Sequence, residues 1–268
     1  MEDFAEFIIK YIEGVEIHGI KGWINQLNGY RWETESKIEK FPDAVLTTKK
    51  FMKVSRDILS HSNNDDEWNS FCNDVRSWGG IRTEVNIDMS SSLRESTLFL
   101  LSNDPGIDSD LSSLPVFAER IATSSKIYYF SDPLKWTIYD SRVGYAIHQL
   151  ICEYAKDRDV QPESLFQEIS LCLPIDRGYK RSSVFKVSLC NNSEKRARMS
   201  FIWASHLHRL IANKLNEKNI QRPSLHISEV PKWELPHVQM VFFVIGNRIW
   251  IDAPSINDLE SSKSSNRK

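Results

Sequence analysis

KWTIYDSRVGYAI, residues 135–147, holds one acid between an extended apolar run and a helix. Trp136, Thr137, Ile138 and Tyr139 read as extended or buried chain. From Ser141 onward the spacing of Val143, Ile147 and Leu150 puts them on one helical face. Asp140 stands at the junction. A carboxylate there is first of all an N-cap, accepting backbone N–H bonds from the new helix and worth about 0.5–2 kcal/mol. A stiff approach also fixes that carboxylate in space, as chemistry on a substrate requires.

Outward from this junction most of the chain keeps helical spacing. Phe4, Phe7, Ile8, Tyr11 and Ile12 form one stripe closed by Gly14. Thr47 or Thr48 can cap a helix carrying Phe51, Val54, Ile58 and Leu59. Asp65 can cap the next, with Trp68, Phe71, Cys72, Val75 and Trp78 on one face and Gly79-Gly80 as its stop. Ser90 to Ser92 can start another. Further helices are expected over Leu114–Phe130, from Pro162 to Leu171, and from Asn192 or Ser193 to about Leu215, with Leu215 on the core face. VQMVFFVIG, 238–246, fits either a helix or the first strand of a hairpin with RIWI, and we favour the helix. The sum is an all-α fold of roughly ten helices. Residues 1–260 are expected to form one domain, with 261–268 (SSKSSNRK) a disordered tail.

Composition supports this. The 41% apolar and 26% charged residues are ordinary for a globular chain, and 268 residues can bury a sizeable core. Only 10 glycines leave little material for phosphate loops or tight hairpins. The acidic start MEDFAEF does not look like a signal peptide. The longest strongly apolar run, Met240–Ile245, is far short of the about 20 residues that span a bilayer. Cys72, Cys152, Cys172 and Cys190 are scattered without a CxxC pair. Reduced thiols, a cytoplasmic location and no membrane are expected.

Several chemistries lack their motifs. GxxxxGK[ST], GxGxxG, HExxH and GxSxG are all absent. His206 and His208, two apart on a helix, point to nearly opposite faces and cannot share a metal. No metal or cofactor is expected.

Charge is uneven along the chain. Residues 177–200 (RGYKRSSVFKVSLCNNSEKRARMS) carry seven bases against one acid, with Tyr179 and Phe185 between them. Such a stretch is either a solvated surface or a contact for a phosphate backbone.

LPVFAERIATSSKIYYFSDPLKWTIYDSRVGYAI, 114–147, resembles the core of the helix-hairpin-helix DNA glycosylase superfamily. In that family an LPG-type hairpin leads into a helix, and a short extended segment then delivers an aspartate directly before the next helix. Ile138-Tyr139-Asp140-Ser141-Arg142-Val143 looks like that element. The likeness is greatest to the 8-oxoguanine-glycosylase-fold branch, including bacterial members acting in anti-phage defence. The sequence departs from the family at Val116 and Ala118, which stand where it has glycine. It departs again at Arg120, which stands near the family's lysine but stays protonated and cannot form a Schiff base.

The resemblance implies a glycosylase-like fold, with one domain or two helical subdomains flanking a base pocket. It implies cleavage of the N-glycosidic bond of a flipped-out base in double-stranded DNA, with no obligate protein partner. Asp140 would be the catalytic carboxylate. Lys126 would be an amine nucleophile, or else a phosphate-binding or structural lysine. Trp23, Asn25, Tyr30, Trp32, Trp78 and Trp136 are candidates for the base pocket. Arg120, Arg142, Arg177, Lys180, Arg181, Lys195, Arg196 and Arg198 are candidates for backbone contacts. The substrate would be oxidised guanine or a modified base of phage DNA. The competing readings are a catalytically inactive DNA-binding module of the same fold and a helical protein-interaction domain.

Overall fold

The computed structural model describes residues 1–33, 37–61, 65–106, 121–162, 164–165, 194–224 and 231–252, with the backbone alone for 194–195 and 247–252. These residues are mainly helical, as the spacing predicts. Helix α1 (Glu2–Gly14) buries Phe4, Ala5, Ile8, Ile9 and Ile12. Two short antiparallel hairpins follow, with helix α2 (Trp23–Asn28) between them: β1 (Glu16–Ile17) with β2 (Ile20–Lys21), and β3 (Arg31–Glu33) with β4 (Ile38–Lys40). Neither hairpin is expected from the sequence. The first turns through His18 at φ 52° and Gly19 at φ 77°, a left-handed pair that suits a two-residue hairpin.

The remaining helices among the described residues are α3 (Phe41–His61), α4 (Asp65–Trp78), α5 (Ile87–Ser102), α6 (Ile121–Ser131), α7 (Ser141–Asp157), α8 (Glu194–Glu217) and α9 (Leu235–Asp252). Two expected starts move upstream. Helix α3 begins at Phe41, so Thr48 lies inside it and its hydroxyl donates to the Ala44 carbonyl at 2.8 Å. Helix α5 begins at Ile87, where Asn86 caps the Met89 N–H. The helix expected over Leu114–Phe130 is described only from Ile121. Most of the one expected from Pro162 to Leu171 lies outside the described residues, as does the tail.

Residues 238–246 are helical, not a strand. Every residue from 235 to 246 is buried, because α9 runs through the centre against α7, α8 and α2. A helix buried on all sides is apolar all round and shows no amphipathic period. Among the described residues no helix is long and apolar enough to cross a membrane. Cys72 and Cys152 are free thiols, and Cys172 and Cys190 lie outside the described residues.

Candidate functional site

Residues 136–139 are wholly buried yet belong to no sheet, so their backbone groups need other partners. Helix hydroxyls supply them. The Thr137 N–H donates to Ser205 Oγ at 3.2 Å, and the Tyr139 N–H to Ser125 Oγ at 3.0 Å. The Thr137 hydroxyl meets His208 Nδ1 at 2.9 Å. This segment ends at Asp140, whose extended backbone (φ −100°, ψ −178°) turns into α7. Asp140 Oδ1 accepts from the N–H groups of Arg142 at 3.1 Å and Val143 at 3.2 Å, so the residue is the N-cap its position predicts.

The second carboxylate oxygen faces Lys126 on α6. Asp140 Oδ2 lies 4.0 Å from Lys126 Nζ, and the two side chains are 9% and 6% exposed. The same amine donates to the Ala122 carbonyl one turn back, at 2.7 Å. The sequence placed these residues fourteen positions apart, and the fold brings them together as a buried pair.

One glycine presses on Lys126 and another on the turn after Asp140. A methyl group on Gly79, just past α4, would sit 2.9 Å from Lys126 Cδ and 3.2 Å from Cε. A methyl group on Gly246 in α9 would sit 1.8 Å from the Arg142 carbonyl oxygen. Helix α9 thus touches the first turn of α7, directly after Asp140.

Aromatic rings form the next layer. Trp32 and Trp78 stack with centroids 5.0 Å apart and planes 14° from parallel. The Trp32 indole N–H donates to the Trp78 carbonyl at 3.0 Å. The Trp78 indole N–H donates to Glu39 Oε2 at 3.2 Å, and Glu39 pairs directly with Trp32 across the β3–β4 register. Glu39 is buried, and Thr47 at 2.9 Å and Lys37 at 2.6 Å satisfy its other oxygen. The half-buried Arg142 guanidinium lies 5.3 Å from the Trp32 ring and 4.8 Å from the Phe243 ring. Tyr30 packs on Phe243 at 5.4 Å. Burial pushes the Tyr30 phenol well above its ordinary range, with the charges of Glu39 and Asp140 adding to the effect after Tyr129, so it stays neutral.

Beyond the tryptophan pair opens a cleft of about 1030 Å³, lined by Trp32, Trp78, Phe51, Thr47, Lys50 and Arg82 among others. Lys126 and Asp140 do not line it. Gly79 separates them from it, since its neighbours Trp78 and Gly80 form the wall while Gly79 itself rests on Lys126.

Tyr30, Trp32, Trp78 and Arg142 therefore form one connected group, which reaches the Lys126–Asp140 pair through the charge of Asp140 near Tyr30 and through Gly79 beside Trp78. Other candidates lie elsewhere. Trp23 is a fully buried core residue; its indole donates to the Ile9 carbonyl at 3.2 Å and it packs edge-on against Trp233. Asn25 is exposed and its amide donates to the Lys21 carbonyl at 2.8 Å. Trp136 is 1% exposed and stacks on Phe201 at 5.5 Å.

The proposed backbone contacts divide in the same way. Arg196 is exposed, whereas Arg198 is buried. Arg120, Arg177, Lys180, Arg181, the side chain of Lys195 and the Leu114-Pro115 element lie outside the described residues.

Four of the histidines sit as follows. His208 is core, while His206 lies by the Pro105 carbonyl at 3.0 Å. His148 Nδ1 bonds the Gly144 carbonyl at 2.7 Å, and His237 Nδ1 accepts from the Glu234 N–H at 3.0 Å. Among the described residues no cluster of three metal-binding side chains occurs.

No protein family matches this chain, and neither does any curated protein or solved structure.

Proposed function

We propose that this chain is a DNA glycosylase that removes a flipped-out modified base and leaves an abasic site. The observation that carries the reading is the buried Lys126–Asp140 pair at the start of α7. Breaking the bond from the anomeric carbon to the base builds positive charge on the sugar. A carboxylate held rigidly by a helix cap stabilises that charge without reorganising. The electron pair leaves with the base, water oriented by Asp140 adds to the carbon and gives up a proton to the carboxylate, and that proton ends on the departed base. Lys126 stands at the same point; once its ammonium has passed a proton to the Asp140 carboxylate, the free amine could attack in place of water, join the sugar to the enzyme as the base leaves, and permit strand cleavage. Trp32 and Trp78, on the cleft wall, supply the aromatic faces that a base needs.

Abasic-site release tests the reading. The substrates are plain duplex, duplex with oxidised guanine and DNA from phages with modified cytosine, each beside the Asp140→Asn variant. Release from one substrate, lost in the variant, is the expected result. No release from any substrate overturns it.

One observation favours the alternative of an inactive DNA-binding module. The pair is nearly enclosed and the cleft ends one residue short of it. Salt-dependent duplex binding with no base release would select that reading.

A further inference from the structure

Two donors near the Asp140 junction have no acceptor. Tyr30 is 4% exposed, yet its hydroxyl bonds to no described residue. The Arg142 guanidinium rests half-buried against the Trp32 and Phe243 rings and forms no hydrogen bond or ion pair with a described residue. It does not pair even with Asp140, two positions back, whose oxygens serve α7 and face Lys126. Comparable groups elsewhere are satisfied. The Tyr129 hydroxyl meets the Thr48 hydroxyl at 3.2 Å. The Arg76 guanidinium donates to the Thr83 carbonyl at 2.8 Å, and that of Arg222 to the Lys232 and Pro223 carbonyls at 2.7 Å. A donor taken from water without an acceptor is costly to the fold. Two of them at one place suit an acceptor that arrives with a ligand.

The two donors share a neighbour. Tyr30 and Arg142 pack against the same Phe243 ring, at 5.4 and 4.8 Å. The charges of Asp140 and Arg142 both act on the Tyr30 phenol, so its hydroxyl lies within reach of each. The sequence makes Arg142 a candidate for the phosphate backbone. In the fold it sits instead beside a buried neutral donor, a pairing that suits an oxygen held within the protein.

Base excision creates such an oxygen. As the bond from sugar to base breaks, its electron pair passes to the base, and the charge spreads to a carbonyl next to the glycosidic nitrogen. Donors already fixed at that oxygen stabilise the departing base without reorganising. Asp140 would then offset the positive charge on the sugar, and Tyr30 and Arg142 the negative charge on the base. Neither donor gives up its proton; the one that Asp140 takes from water neutralises the base.

We infer that Tyr30 and Arg142 hold the carbonyl oxygen flanking the glycosidic nitrogen of the leaving base, so that the substrate is a pyrimidine or an 8-oxopurine. This rests on the glycosylase reading. Pyrimidines carry that oxygen as O2 and 8-oxopurines as O8, whereas adenine, hypoxanthine and unoxidised guanine have none there.

The test is single-turnover base release, with duplex affinity measured beside it, for the native protein, Tyr30→Phe and Arg142→Met. The substrates are duplexes with 8-oxoguanine or hypoxanthine and phage DNA with modified cytosine. Each variant should release the base about 100-fold more slowly, the ordinary loss for one such donor, at unchanged duplex affinity. Tyr30→Phe should melt at or above the native temperature, because it removes a buried donor that lacks a partner. An unchanged rate in either variant overturns the inference, as does a lowered melting temperature in Tyr30→Phe or release of hypoxanthine. Loss of duplex affinity in Arg142→Met, at an unchanged rate once bound, overturns it in favour of a backbone contact. Saturation-transfer NMR with free cytosine, 8-oxoguanine and adenine separates this inference from the reading it rests on. Binding of the first two bases alone, lost in Tyr30→Phe, with no release from any duplex keeps the donor site and removes the glycosylase. Release that ignores Tyr30 does the reverse, and neither binding nor release removes both.

Discussion

The carboxylate of Asp140 divides its oxygens between two tasks: Oδ1 caps α7, and Oδ2 faces the Lys126 amine 4.0 Å away. Substitutions can separate these tasks. Asparagine keeps an oxygen for the cap and loses the charge; alanine loses both. Asp140→Asn should fold normally and lack base release. Asp140→Ala should be less stable than Asp140→Asn by about 1–2 kcal/mol, the ordinary worth of a cap. Chemical denaturation of both variants checks the difference. Equal stabilities would mean that the cap contributes nothing here.

Lys126 has its own test. If its amine attacks the sugar, borohydride should trap a DNA adduct in the native protein and none in Lys126→Ala. An adduct that persists in the variant excludes Lys126 as the nucleophile.

Gly79→Ala moves Lys126 without removing it. The added methyl meets Cδ and Cε of that side chain at 2.9 and 3.2 Å and the Arg76 carbonyl oxygen at 3.3 Å, and the tightest of these contacts is to the side chain, which can shift. The melting temperature should change by no more than a few degrees. The rate of amine labelling at Lys126, read by mass spectrometry across pH, should shift. An unchanged labelling profile would show that Gly79 does not position the amine.

Gly246→Ala should behave differently. Its methyl meets backbone, the Arg142 carbonyl at 1.8 Å, and neither helix can yield by a rotamer change. Overpacking of this kind costs about 1–3 kcal/mol. Because the strain falls on the first turn of α7, the variant should also lose activity in the fraction that remains folded. Denaturation together with base release per folded molecule measures both effects.

Acid should weaken the fold before carboxylates titrate. Burial depresses the imidazoles of His148, to about 4, and His208, to about 3. Both stay neutral in the folded chain, while in the unfolded chain they charge near pH 6.5. The unfolded state therefore binds more protons below that pH. Stability is complete above pH 6.5 and falls as the pH drops, by on the order of 3 kcal/mol per histidine at pH 4. Melting temperatures from pH 7.5 to 4.5 should decline from about 6.5 downward. A flat profile down to pH 5 would contradict this.

What the sequence revealed depended on periodicity. The stripes of α1 and α4 and the junction at Asp140 were visible because one face is buried and the other is wet. Helix α9 left strand and helix both open because it is buried on every side. The two hairpins escaped notice because strands of two or three residues are too short to show alternation. Within the site, Asp140 and Lys126 lay on one continuous stretch and were legible. Glu39, Phe243, Ser125 and Ser205 belong to it only through the fold. Gly79 read as a helix stop and Gly246 as part of an apolar run, although each owes its identity to a neighbour distant in sequence.

The enclosure of α9 also sets an order of events during synthesis. Helices α2, α7 and α8, which surround it, all emerge from the ribosome first. Until residues 235–252 follow, those helices expose to the cell the apolar faces that α9 will cover, a period in which nascent chains aggregate or engage chaperones. Because Gly246 packs on the Arg142 carbonyl, the first turn of α7 lacks that neighbour until the late helix docks. A nascent chain stalled before α9 would hold Lys126 and Asp140 beside a first turn of α7 still open to water.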